Sequence, residues 1–129
     1  DFPFFNSYHF SMKKILLFML AGLFVLLALL SAQDAGAGPV REITITNRGM
    51  KFTTDEIRVN QGDRVRITYR NSGGVHDFVI DEFNVRTKQI SAGKSDSVEF
   101  TADRKGVFEF YCSVGNHRQI GMFGKFIVE

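Results

Sequence analysis

Close to the C-terminus, Tyr111-Cys112-Ser113-Val114-Gly115-Asn116-His117-Arg118-Gln119-Ile120-Gly121-Met122 carries the only cysteine of the 129-residue chain. In order, this segment offers a thiolate, an imidazole and a thioether between two strand-like runs. Those are three of the four groups of a type 1 copper site, the fourth being a second imidazole. The chain has three histidines in all. His9 precedes a hydrophobic leader, which leaves His76, in Gly73-Gly74-Val75-His76-Asp77-Phe78, as the candidate. Singly, each residue has a plainer role: His76 as a hydrogen-bonded structural histidine, Met122 as core packing, Cys112 as a buried, inert thiol. Their conjunction points to a metal held by His76, Cys112, His117 and Met122.

Composition limits what such a site serves. Lys+Arg 16 against Asp+Glu 14 gives a net charge of +2. In the leader Lys13 and Lys14 balance Asp1 and Asp34, so the remainder carries the same small excess. That is too weak and too scattered for nucleic acid. There is no run of basic residues, no phosphate-cradling glycine loop and no Ser/His/Asp constellation, and Gly73-Gly74 reads as a turn.

From Ile15 to Leu30 no charge interrupts the sequence, and the run follows Met12-Lys13-Lys14. A positive start followed by an apolar stretch fits an export signal, with Ala35-Gly36-Ala37 as the better small-x-small cleavage site. The run approaches the length of a membrane span, so an uncleaved anchor through 15–30 is the alternative. Either places the folded part outside the cytoplasm, periplasmic or extracellular. Exported proteins usually pair their cysteines. Coordination to a metal would mask the lone Cys112 and keep it as thiolate.

Residues 1–37 are therefore read as leader and linker, and 38–129 as one folded domain of roughly 90 residues, enough for a single core. Arg41–Thr46, Ile57–Val59 and Arg64–Tyr69 alternate apolar with polar residues as half-buried strands do. Asn60-Gln61-Gly62-Asp63, Asn71-Ser72-Gly73-Gly74 and Ala92-Gly93-Lys94 read as turns. Further strands are expected over His76–Ile80, Arg86–Ile90, Ser97–Thr101, Val107–Cys112 and Gly124–Val128, and no segment carries a helical period. Seven or eight short strands in this length predict an all-β, antiparallel Greek-key sandwich. Strand phase puts Cys112 on the face of Phe108 and Phe110, with Glu109 on the wet side. It puts His76 with Phe78 and Ile80. Both candidates then face one core from strand ends.

With these residues in view, the chain after the linker resembles the cupredoxins, the small blue copper proteins related to plastocyanin, azurin and auracyanin. Met50-Lys51-Phe52 and Ile57-Arg58-Val59-Asn60-Gln61-Gly62-Asp63-Arg64-Val65 look like the family's first strands. Val75-His76-Asp77-Phe78 looks like its first ligand segment, and Tyr111-Cys112 through Gly121-Met122-Phe123-Gly124-Lys125 like its ligand loop. That loop places four residues between Cys112 and His117 and four between His117 and Met122, most similar to auracyanin. The resemblance implies one copper ion, with His76, Cys112 and His117 in the trigonal plane and Met122 as a long axial bond. Asp77 departs from the Asn that plastocyanin and azurin have at this place. Its carboxylate would still accept hydrogen bonds from the second loop or from Ser113, and would lower the copper potential.

The resemblance also implies a monomeric one-electron carrier. Redox protein partners would dock near His117, against an apolar patch of Ile120, Phe123, Val75 and Met50, with Arg118 and Gln119 on a mildly basic rim. Membership of a copper oxidase or nitrite reductase would demand a second centre with further imidazoles, so no enzymatic activity is expected. A binuclear copper domain resembles His76-Asp77-Phe78-Val79-Ile80 but needs two bridging cysteines. Zinc suits Cys/His2 but not the thioether. Copper storage or delivery is the competing function, and Met50 is the one spare methionine for it in the folded part.

Overall fold

The structure, a computed structural model, describes residues 39–129. The expected leader, its cleavage site and the boundary at 37/38 lie outside the described residues. Among the described residues no helix is long and apolar enough to cross a membrane.

The alternating runs form the strands. β1 (Arg41–Arg48) turns Ile43, Ile45 and Asn47 inward, and β4 (Arg64–Arg70) turns in Val65, Ile67 and Tyr69. With β2 (Lys51–Phe52) and β9 (Ser95–Thr101) they make a four-stranded sheet in the order β2-β1-β4-β9. A second sheet follows the order β3-β11-β10-β6-β7, from β3 (Glu56–Val59), β6 (Val79–Ile80), β7 (Val85–Arg86), β10 (Gly106–Tyr111) and β11 (Phe123–Val128). β5 (Val75–His76) and β8 (Ile90–Ser91) pair separately, and Asp81–Phe83 forms one 3-10 turn.

The all-β expectation holds, with two differences. β1 pairs with β4, and β3 with β11, in parallel. The chain leaves each sheet and returns to it between these strands, so neighbours in space are not joined by hairpins. The strands number eleven among the described residues rather than seven or eight. The expected strand His76–Ile80 breaks at Asp77-Phe78 into β5 and β6, and Arg86–Ile90 becomes β7 and β8. The simple alternation of His76, Phe78 and Ile80 fails accordingly: Asp77, Phe78, Val79 and Ile80 are all buried. Phe78 leaves the ladder to bond Thr87, whose hydroxyl accepts the Phe78 N–H at 2.9 Å and whose own N–H donates to the Phe78 carbonyl at 3.0 Å.

Aromatic rings fill the space between the sheets. Phe52 lies edge-on to Tyr69, Phe78 and Phe110, with centroids 5.4–5.8 Å apart, and Phe78 stacks on Phe110 at 5.1 Å. Such offset and T-shaped contacts add to the stabilisation from burial itself. Phe110 needs Gly124 opposite it, since a side-chain carbon there would strike the ring and the Asp55 carbonyl.

Asn47 is a polar residue in this interior, near the loop that precedes His76. Asn47 is buried at an inward position of β1. Its Oδ1 accepts the Tyr69 hydroxyl at 2.9 Å and the Ser72 N–H at 3.0 Å, and its Nδ2 donates to the Gly49 and Gly73 carbonyls. Ser72 Oγ also donates to the Asn47 carbonyl. Asn47 thereby ties the 72–74 loop to the sheet. Replacing it leaves buried donors unmatched, each costing about 1–3 kcal/mol. Asn47→Ala is expected to lower unfolding free energy in urea by about 2–4 kcal/mol. Tyr69→Phe, which removes a single bond, should lower it by about 1 kcal/mol.

Candidate metal centre

Three of the four residues singled out from the sequence converge at one end of the sandwich. His76 Nδ1 lies 3.1 Å from His117 Nδ1, Cys112 Sγ lies 3.4 Å from His117 Nδ1, and Cys112 Sγ lies 3.7 Å from His76 Nδ1. They are the group of potential ligands found among the described residues. His76 and Cys112 are fully buried, and His117 is partly exposed.

Local structure explains each placement. His76 ends β5, two residues beyond Gly74, whose φ is +75°. A side-chain carbon at Gly74 would stand 3.0 Å from His76 Nε2, so the glycine lets the backbone lie against the ring's far edge while Nδ1 faces inward. Cys112 directly follows β10, where the ladder with β11 has just ended. The loop then closes on itself. The Cys112 N–H donates to the Met122 carbonyl at 3.0 Å, and the Met122 N–H donates to the His117 carbonyl at 2.9 Å. These bonds fix Met122 beside Cys112, and its side chain is completely buried in the same cluster.

Asp77 joins the two segments. Its Oδ1 accepts the Ser113 N–H at 2.6 Å and its Oδ2 accepts the Ser113 hydroxyl at 2.5 Å, as the sequence reading anticipated. Arg86 was not foreseen. Its Nη1 donates to Ser113 Oγ at 2.9 Å and stands 3.7 Å from Asp77 Oδ2, with Asp81 3.9 Å from its other nitrogen. Eight residues lie between Asp77 and Arg86, and no local pattern couples them. Asn47 was also missed, although an amide at an inward strand phase is a readable signal.

Burial pushes the Cys112 thiol up, and it lowers His76, which the neighbouring His117 ring lowers further. Cys112 and His76 are thus both biased toward neutrality, the state in which an imidazole accepts a metal and a thiol waits to lose its proton. The donor set fits a metal by its spacing. A point equidistant from the three atoms lies about 2 Å from each, the length of a bond from a first-row metal to imidazole nitrogen and slightly under the ~2.3 Å expected to thiolate.

A family model for the cupredoxin-like domain matches residues 19–128. The chain belongs to the cupredoxin-like family. The nitrous-oxide reductase of Stutzerimonas stutzeri is 32% identical to this cupredoxin over 92 residues, which cover 67% of this chain and 14% of that enzyme. This chain therefore spans a small part of the length of the curated relatives it matches. Auracyanin of Roseiflexus castenholzii shares the fold, with a TM-score of 0.64 and 22% identity over 71% of this chain and 99% of the other. Auracyanin A of Chloroflexus aurantiacus, a blue copper protein, does so with a TM-score of 0.62 and 19% identity over 70% and 99%. One copper ion is the cofactor that the family and the donor arrangement support.

Ile120, Phe123, Val75 and Met50 are all exposed large apolar side chains, as expected. Arg118 differs from the expected free rim charge. Its Nε donates to Glu109 at 2.6 Å and its guanidinium lies 4.0 Å over the Tyr111 ring, so the charge is balanced.

Asp77 and Arg86 place opposite charges beside the candidate ligands, and outer charges tune a metal's potential. For the copper-loaded protein, Asp77→Asn is expected to raise the reduction potential while keeping the Ser113 N–H bond. Arg86→Gln should lower it, because the carboxylate loses its counter-charge. Spectroelectrochemistry giving shifts of the same sign for both variants would sink this reading.

Proposed function

We propose that this cupredoxin is a mononuclear type 1 copper protein that carries single electrons between redox partners outside the cytoplasm, and that it has no enzymatic activity of its own. The observation that carries the reading is the triangle of buried His76 and Cys112 with partly exposed His117, and Met122 held beside Cys112 by backbone bonds. In this assignment His76, Cys112 and His117 would hold the ion, and Met122 would offer it a thioether as a weaker donor. Copper bound there supplies one-electron Cu(I)/Cu(II) exchange, which thiolate, thioether and imidazole donors accommodate in both states.

The residues around the triangle support exchange without rearrangement. Asp77 and Ser113 hold the two ligand segments at fixed separation. The loop's own backbone bonds resist displacement of Cys112, His117 and Met122. His117 is the ligand that reaches the surface, beside the exposed Ile120, and gives an exit for the electron toward a docked partner. A further copper centre of the kind found in oxidases or nitrite reductases would need several more imidazoles, and beyond His76 and His117 this sequence has His9 alone. The activity named for the nitrous-oxide reductases is therefore not carried over.

One equivalent of Cu(II) added to the protein should give an intense visible thiolate-to-copper band and narrow copper hyperfine splitting in the EPR spectrum. Cys112→Ser should abolish the band. A colourless protein that yields its copper to a mild chelator would instead identify a copper-delivery protein and remove Met122 from the ligand set.

A further inference from the structure

The outer face of the four-stranded sheet sorts its charges along the strands. Outward positions are Glu42, Thr44, Thr46 and Arg48 on β1, Arg64, Arg66, Thr68 and Arg70 on β4, and Ser95, Ser97, Glu99 and Thr101 on β9. At the end away from the candidate metal centre, Arg66 stands between Glu42 and Glu99 in register, 2.8 and 2.7 Å from them, and Arg64 lies 2.6 Å from Glu99. Both carboxylates of the face are consumed there. The middle rung, Thr44, Thr68 and Ser97, is uncharged, with Thr68 and Ser97 hydroxyls 2.9 Å apart.

At the other end only cations remain. Arg48 lies directly opposite Lys51 on β2, Arg70 is one strand over, paired with Thr46 and Ser95, and Lys94 precedes Ser95 at the turn. All four are exposed, and none belongs to an ion pair among the described residues. Like charges directly opposite on a sheet destabilise the pairing. The facing of Arg48 and Lys51 therefore adds nothing to the stability of the fold that would account for it.

This corner borders the ligand loops. Met50, between Arg48 and Lys51, is an exposed apolar side chain, and Lys51 shares one surface depression with Gly121 and Phe123, which flank Met122. The Ser72–Gly74 segment after Arg70 leads straight to His76. Asp55 also lines the depression and makes no ion pair with Lys51.

We infer that Arg48, Lys51, Arg70 and Lys94 form a recognition corner for an acidic protein surface, and that the redox partner of this cupredoxin docks there with a carboxylate-rich face. The identity of that partner as a redox protein rests on the electron-carrier reading; the corner itself does not. Fixed strand positions in register give a patterned set of charges, which suits a patterned protein face and its steered association. An anionic lipid surface would require only charge density.

The test uses the full chain and two probes: a fluorescent oligo-glutamate peptide read by polarisation, and vesicles of phosphatidylglycerol in phosphatidylcholine. The peptide is expected to bind at low salt and to be released as salt rises. Arg48→Glu with Lys51→Glu should weaken it at least tenfold, and Lys125→Glu, an exposed cation on the other sheet, should leave it within twofold. Equal weakening by both variants, no peptide binding, or binding to vesicles alone would each overturn the corner. The copper band of the same samples is the separate reading. A parent without it removes the electron carrier and with it the redox partner, while the peptide data still decide whether the corner recognises acidic protein.

Discussion

The metal end of this sandwich depends on a buried carboxylate between two loops. Asp77 accepts both the N–H and the hydroxyl of Ser113, and Ser113 is the residue after Cys112. One bridge thus sets the distance between the segment that carries His76 and the segment that carries Cys112, His117 and Met122. Hydrogen bonds to a charged acceptor are shorter and stronger than neutral ones, and in a buried site they have no water to compete with. Leaving such a charge without compensation would be costly, and the Arg86 guanidinium, 3.7 Å away, supplies it from the solvent side.

The rest of the molecule holds this bridge still. The two sheets enclose a dry aromatic interior, and Phe52, Phe78 and Phe110 interlock directly beneath the ligand segments. Phe78 follows Asp77, so the ring that anchors the core and the carboxylate that ties the loops belong to consecutive residues. Thr87 takes the backbone bonds that the break between β5 and β6 would otherwise orphan. Among the described residues no buried side-chain nitrogen or oxygen lacks a partner. An interior satisfied in this way has one arrangement to adopt, which is what a centre exchanging electrons without rearrangement requires.

Electrostatics divides the surface into neutral and unbalanced parts. Ion pairs on the outer sheet face and the Arg118–Glu109 pair cancel charge locally, and exposed pairs of this kind add little stability. Cations without partners gather at the corner beside the ligand loops. The small net charge of the whole chain therefore conceals a local positive field.

The sequence by itself determined the donor types. A lone cysteine, a histidine five residues further on and a methionine five residues beyond that name the chemistry, because coordination depends on which atoms are offered and in what order along one loop. Strand alternation likewise determined an all-β core, since burial on one face leaves a period of two in the residues. The tertiary structure alone decided how those pieces meet. The parallel seams of β1 with β4 and of β3 with β11, and the break after His76, follow from backbone groups finding partners across the fold, which a local period does not encode. Asn47 was half legible, as an amide in an inward phase, but its bonds to Tyr69, Ser72 and Gly73 required those residues in place. Arg86 against Asp77 and Ser113, Arg118 against Glu109, and the opposition of Arg48 to Lys51 are pairings in space between charges whose residue types were plain from the start.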